Sequence, residues 1–381
     1  MEVEKIELVS SWRHCELRAT VKSRALREPF VLWYRLPRRY RRYIDPTNGD
    51  PFVAALLLPA MRVGEPLRIP YAASPTLLRN LGRIQAIYRE WDSTLSTVEV
   101  EIPTRNGSAT PPRRPAATGL FFSLGVDSFY TLLKKQQSDA AGDDAITHLI
   151  VVHGFDIYYG KWNTDLFSAV LDNAAAVARA VGKRLVPVTT NLRDLSDQFV
   201  SWGELCHGSA LASTGLVLGR MLRKVYVAAT HTHADFLPWG SHPLLDPLWS
   251  IESVSFLHDG AEVRRVDKIK FIARFPIVLE TLRICFMNPK NAYNCGQCEK
   301  CLRTMIGLHI AGALERCRTL PQSIDCELVR SIRIQNQNER AFVEECVNAL
   351  GSSETDLVIR AALEEALSRS AERHERRSSE S

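Results

Sequence analysis

No stretch of the chain approaches the roughly 18 consecutive apolar residues of a membrane helix, so no membrane-spanning segment and no membrane partner is expected. The first twenty residues, MEVEKIELVSSWRHCELRAT, alternate charged and apolar side chains and lack the apolar centre of a secretion signal, which makes the cytoplasm the expected location. There is no internal repeat, no Gly-x-x-x-x-Gly-Lys-Ser/Thr loop and no Gly-x-Gly-x-x-Gly turn. Nine cysteines, an odd number with four of them in the 17 positions from 285 to 301, do not form a secreted disulfide framework. What is present is 381 residues, 45% hydrophobic and 24% charged, enough for two domains or for one large α/β domain with an addition.

The formal charge of +5 is unevenly distributed. Residues 1–117 hold 19 Lys/Arg against 12 Asp/Glu, and the excess concentrates in Arg38, Arg39, Arg41, Arg42, Arg113 and Arg114. Such a cluster reads either as solvated surface or as an attractor for an anionic partner, nucleic acid or protein.

Along the chain, KIELV, ELRATVKSR and FVLWYRL have strand composition, and PFVAALLLPAMR and SPTLLRNLGRIQAIYREW have helical spacing, with Ser74 and Pro75 as a helix start. These residues, 1–103, predict an N-terminal α+β accessory unit. The segment 104–118, rich in Gly, Pro, Ser and Thr, reads as a linker. From 119 the pattern becomes short apolar runs alternating with helices, the mark of βαβ units and a doubly wound parallel sheet, here expected over 119–305. Residues 306–368 read as helical. Residues 369–381 carry no apolar face and are expected to be disordered. A homodimer is compatible with these features.

Two motifs carry chemistry. Residues 119–133, GLFFSLGVDSFYTLL, place Ser123, Gly125 and Ser128 where a strand turns into a helix. Backbone N–H groups and hydroxyls converge at such a helix start, which suits an anion. The second is Cys285, Cys295, Cys298 and Cys301, spaced so that a CxxCxxC loop supplies three thiolates and the chain a fourth. That set closes around Zn²⁺ or holds an iron–sulfur cluster, and spacing alone does not separate the two.

The turn SLGVDS resembles the PP-loop, Ser-Gly-Gly-x-Asp-Ser, of the N-type ATP pyrophosphatases, with Leu124 in place of the first Gly. The resemblance implies an adenine nucleotide α-hydrolase-like fold that binds ATP with Mg²⁺ and transfers AMP to an acceptor with release of pyrophosphate. It implies that Ser123, Leu124, Gly125 and Val126 bind the nucleotide and that Asp127 and Ser128 are catalytic. The end of the second strand, His153, Gly154 and Phe155, would contact the adenine. With the cysteines in order behind it, the chain is similar to the 7-cyano-7-deazaguanine synthases, whose structural zinc favours Zn²⁺ here. DKIKFIA at 267–273 then implies Lys268 as a basic contact to phosphate.

The likeness spans about 118–305 and is incomplete: Cys206-His207-Gly208-Ser209 replaces an Arg-Asn pair, HTHADFLPWGSHPLLDPLWSIES replaces the family's substrate segment, the Arg usually three residues past the last Cys stands two past it at Arg303, and the N-terminal unit is foreign to the compact synthases. In that second stretch His231, His233, Asp235, Trp239 and His242 are the expected acceptor contacts. The function so implied is an ATP-dependent adenylating ligase acting on a small-molecule or macromolecular acceptor. A nitrogen nucleophile would complete an amide or nitrile, in a modification or bacterial anti-phage setting such as relatives occupy. The alternatives are an RNA-thiolating PP-loop enzyme and a non-catalytic ATP-binding sensor.

Overall fold

The computed structural model describes residues 1–105, 116–138, 142, 144–160, 163–234 and 237–379, with 371–379 by backbone alone. Most of the expected linker, with Arg113 and Arg114, and also Asp235, lies outside these residues.

The chain opens with a meander, β1 (Glu2–Ser10), β2 (His14–Lys22) and β3 (Phe30–Pro37), in which alternate side chains are buried. A 3-10 turn, Arg38–Tyr43, leads to α1 (Asp50–Val63), β4 (Leu67–Arg68), α2 (Pro75–Trp91) and β5 (Val100–Glu101). Ser74 caps α2, accepting from Leu77 N–H at 3.2 Å, with Pro75 at the first helical position.

The α/β pattern follows: β6 (Ala117–Phe121), α3 (Val126–Ser138), β7 (His148–His153), α4 (Thr164–Ala180) and β8 (Arg184–Thr190). After α5 (Leu192–Ser196) and a π-helical turn at Trp202–Cys206 come α6 (His207–Val217), β9 (Leu222–Ala228) and β10 (Ser255–Asp259). The remainder is helical: α7 (Arg265–Ile272), α8 (Pro276–Thr281), α9 (Glu299–Ile310), α10 (Cys326–Arg330), α11 (Gln337–Ala349) and α12 (Glu354–Ser379). The stretch from 369, expected to be disordered, is corrected by α12, which keeps helical geometry to Ser379.

One ten-stranded sheet results, ordered β10-β9-β6-β7-β8-β3-β2-β1-β4-β5. Strands β6 to β10 are mutually parallel, as the alternation of strands and helices predicts, while β3 joins β8 antiparallel through Tyr34 with Thr190 and Arg35 with Thr189. The expected boundary at 104–118 therefore does not divide the sheet. The core does not divide there either: Leu17, Leu32, Leu56, Val186, Ala210 and Phe256 belong to one buried cluster, in which α1 packs on α6. Each of the Leu, Val and Phe side chains contributes roughly 1.5–3 kcal/mol on burial. Tyr34 Oη and Ser213 Oγ, 2.5 Å apart, and Ser213 Oγ donating to Pro51 O at 2.6 Å fasten the two segments inside that core.

Strand order decides where a ligand can go. From β6 the chain builds outward through β7 and β8, then returns to place β9 on β6's other side. Diverging connections leave a crevice outside the carboxyl ends of β6 and β9, where doubly wound sheets bind ligands.

Because sheet and core cross the 104–118 segment, heat should unfold the chain in one cooperative calorimetric transition, and residues 116–381 expressed alone should aggregate through the uncovered edge of β8. Two separate transitions, with a soluble 116–381 fragment, would show that the first hundred residues fold by themselves.

Candidate functional site

The crevice is a cavity of about 760 Å³ that opens over the turn between β6 and α3. Ser123, Gly125, Val126, Asp127 and Ser128 line it, so five of the six residues of the SLGVDS turn face the same space. Ser123 Oγ accepts from Gly125 N–H at 3.3 Å, and Ser128 Oγ donates to Gly125 O at 3.0 Å. The first N–H groups of the 13-residue α3 have no acceptor within the helix and point with its dipole at the cavity floor.

Leu124 is the sixth. It has φ +63°, the left-handed region that glycine enters freely and a side chain enters at a cost of roughly 1–2 kcal/mol. Its side chain is fully buried on the core side, outside the cavity, which offsets that cost. Its carbonyl accepts from Arg283 N–H at 2.9 Å, so the turn is held by the segment that enters the cysteine loop.

Asp127 is not free to ligate a cation. Its Oδ2 accepts from Arg265 Nη1 at 2.7 Å, and Oδ1 faces Lys268 Nζ at 3.3 Å. Burial alone would raise its pKa; the charges of Arg265 and Lys268 overcome that and hold it at about 2. Lys268, 1% exposed, also donates to Ala229 O at 2.6 Å, at the end of β9. Burial pulls this ammonium's pKa down, and the charge of Asp127 opposes that shift. It does not line the cavity, so the expected direct contact with phosphate is replaced by an ion pair that positions Asp127.

Five cations do line the cavity: Arg193, Arg265, Arg283, Lys300 and Arg303. Among carboxylates facing it, Asp127 is neutralised, and Glu299 Oε1 lies 3.0 Å from Arg303 Nε in ion-pair contact, its angle unsuited to a hydrogen bond. Asp156 is raised by burial but lowered further by the surrounding Lys300, Arg283 and Arg193, and Glu339, the fourth carboxylate of the lining, is raised by burial and accepts from Gln335 N–H at 2.7 Å. Arg265, Arg283 and Arg303 are buried, yet Arg265 Nε, Arg283 Nε and Arg303 Nη1 have no hydrogen-bond partner. A buried donor without an acceptor is costly, and these three lining residues give the cavity donors suited to an anion.

The cysteine loop supplies part of this wall. The sulfurs of Cys285, Cys295, Cys298 and Cys301 lie within 4.8 Å of one another, and those of Cys295 and Cys301 are 3.8 Å apart. Tetrahedral Zn²⁺ with Zn–S near 2.3 Å places its sulfurs about 3.8 Å apart, so the set fits one ion; a [4Fe–4S] cube would hold its four cysteines much farther from one another. Backbone N–H groups of Asn288, Gln297 and Cys298 point at these sulfurs. In the thiol form Cys298 and Cys301 donate to Cys285, drawing its pKa down and pushing theirs up.

Gly296 turns the loop at φ +70°, with Pro321 where a Cβ would project. Asn294 accepts from Ile284 N–H and Cys285 N–H, and Asn288 donates to Asp156 O at 3.0 Å. Cys298 caps α9 and Cys301 sits in its first turn, which aims Lys300 and Arg303 into the cavity.

Of the other expected contacts, Phe155 and Trp239 line the cavity. His153 does not: it stacks on Phe167 at 4.0 Å between β7 and α4. Gly154 is a backbone requirement, at φ +105° with Thr190 O where a Cβ would stand. His231 braces the wall by stacking on Phe342 and meeting Trp239 edge-on. The backbone of His233 bonds to Ala261, while His242 packs on Trp91 of α2; neither faces the cavity.

Arg193, Trp202, His207, Arg265, Arg283, Lys300 and Phe342 were not singled out as ligand contacts by sequence. The replaced stretch Cys206–Ser209 was the one signal for His207. Ser241 N–H donates to its Nε2 at 3.1 Å, so Nδ1 carries the proton toward Trp202 O, and burial keeps the ring neutral.

The chain thus has an α/β fold whose ten-stranded sheet is parallel in most of its pairings, with a four-cysteine cluster able to hold a metal ion such as zinc. Among the described residues no helix is long and apolar enough to cross a membrane. No family model, curated protein or solved structure matches it.

Two outcomes test this geometry. Elemental analysis should find one zinc per chain, and Cys298→Ala should lose it, with a fall in thermal midpoint of more than about 5 °C; iron with sulfide, or a metal-free wild type of full stability, contradicts the assignment. At position 124, Leu→Gly should be less destabilising than Leu→Ala by about 1 kcal/mol in urea unfolding, because both lose the buried side chain but only Gly relieves the left-handed strain. The ordinary order, with Ala the better tolerated, would show that Leu124 is not strained.

Proposed function

We propose that the cavity binds ATP with its phosphates at the SLGVDS turn, and that the protein is an adenylating ligase that transfers AMP to an acceptor carboxylate and releases pyrophosphate. The observation that carries this reading is the conjunction at one switch point of a helix N-terminus, a turn resembling a PP-loop and three buried guanidiniums with unused donors. Phe155, Trp202 and Trp239 give the enclosure the aromatic walls a planar group would need.

In this mechanism an acceptor oxygen attacks the α-phosphorus while the bond to the β-phosphate breaks. Negative charge then grows on the departing pyrophosphate, where the α3 N–H groups and Arg265 stand ready. Arg283 and Lys300, beside Asp156, are placed to hold an acceptor carboxylate against the nucleotide, while Arg193 is engaged by Asp197, Phe155 O and Tyr158. The acyl-adenylate then meets a nitrogen nucleophile, which forms the new C–N bond and expels AMP. His207 is not the base, since both ring nitrogens are occupied.

The residues at the turn do not fit a protein-bound Mg²⁺, because both oxygens of Asp127 are engaged by cations. In this reading Mg²⁺ travels as the counterion of the nucleotide, and no step is assigned to it. Cys285, Cys295, Cys298 and Cys301 would hold the zinc, which would supply rigidity by fixing the start of α9, from which Lys300 and Arg303 reach the cavity.

Supplied with ATP and acceptor carboxylates, the protein should form AMP and pyrophosphate in equal amounts. Lys300→Met should lower kcat/KM by about 10²–10³-fold with its unfolding curve unchanged, since among the described contacts the Lys300 side chain forms no hydrogen bond or close ion pair whose loss would strand a partner. ADP and phosphate as products, or full activity in Lys300→Met, would contradict the assignment.

A further inference from the structure

A second charged feature lies at the opposite edge of the sheet. β3 runs antiparallel to β8, so the turn that follows it, Arg38–Tyr43, sits beside the start of β8, where Tyr40 Oη donates to Leu185 O at 3.0 Å. The cavity opens at the other ends of these strands. Arg38, Arg39, Arg41 and Arg42 are all exposed. Arg38 Nη1 donates to Ser11 O at 2.9 Å and Arg41 Nε to Ser10 Oγ at 3.1 Å, which docks the turn on the tip of the β1–β2 hairpin.

That tip presents Trp12, 73% exposed, the most exposed large apolar side chain among the described residues. The Arg13 guanidinium lies 4.0 Å from the centre of its ring. Nearby carboxylates are committed elsewhere: Asp45 to Arg220 at 2.5 Å, and Glu16 to Arg18 and Arg35. Among the described residues, no ion pair engages any of the five guanidiniums at 13, 38, 39, 41 and 42.

We propose that this face binds single-stranded nucleic acid, with phosphates on the five guanidiniums and a base stacked on Trp12. Uncompensated guanidiniums call for an extended anion, and an exposed indole with the Arg13 guanidinium over one face offers its other face as a stacking platform for a base. An acidic peptide would leave the indole without a role, and one indole is too little apolar surface for a bilayer. Because the face and the cavity occupy opposite ends of the strands, the strand is held as a docking partner and is not delivered to the cavity. The inference does not rest on the adenylation chemistry.

The test is fluorescence anisotropy of the full-length protein with an end-labelled oligothymidylate of about 20 nucleotides, longer than one such site covers. Five phosphate contacts predict a log–log salt slope of about −3.5 for a single strand. Arg39→Ala/Arg42→Ala should reduce its magnitude by about 1.4. Trp12→Ala should weaken binding about tenfold with the slope unchanged. Thermal midpoint and ATP binding should stay at wild-type values in both variants. Equal affinity for a duplex of the same length, no effect of Trp12→Ala, or preferential binding of polyglutamate or of phosphatidylserine vesicles would each overturn the proposal.

Discussion

The geometry of the site depends on one backbone conformation, the positive φ of Leu124. In that conformation the chain leaves β6 and enters α3 with the helix start directed over the sheet edge, and the Leu124 carbonyl is presented to Arg283 N–H. Through this bond the anion-facing turn and the cysteine loop become one construction, since Cys285 follows two residues later. Asn288 then ties the loop to the end of β7, and Cys298 and Cys301 tie it to α9. A residue that pays a conformational cost is kept in place by burial and by a neighbour that uses its carbonyl.

The same arrangement explains the electrostatics. Asp127, Arg265 and Lys268 form a group in which one carboxylate meets two cations, and removing Asp127 would leave both cations without their counter-charge, a loss of roughly 3–5 kcal/mol. This group ties the turn to α7 and holds the Arg265 guanidinium at the cavity. Arg283 and Arg303 add donors that the protein does not satisfy. Buried donors of this kind beside a helix N-terminus are the observation on which the proposed anion site rests.

Much of the fold was legible in the sequence. Runs such as HLIVVHG and RLVPVTT, separated by helical stretches, carry the period and length of buried parallel strands, and β7 and β8 appear there. Ser74 with Pro75 marked the start of α2 through local chemistry alone. The spacing of Cys285, Cys295, Cys298 and Cys301 specified a metal-sized cluster because three of the ligands sit within one short loop. β10 was missed: SFLHD has the composition of a loop, and only pairing with β9 makes it a strand.

What tertiary structure alone decided is which side chains share a space. His153, His231, His233 and His242 look alike in sequence as polar groups near strand ends, yet they are divided among a stacked core position, a wall brace, a backbone contact and a packing contact with α2. Arg193, Arg265, Arg283 and Lys300 come from four separate segments, and no local pattern relates them; the crossover that places β9 beside β6 and the loop that carries the cysteines bring them together. The linker composition of 104–118 likewise foretold a break, whereas the pairing of β3 with β8 made one sheet of both sides. Local propensities and short ligand spacings act over a few residues and can be read from the chain, while long-range pairing, burial and charge compensation exist only after it has folded.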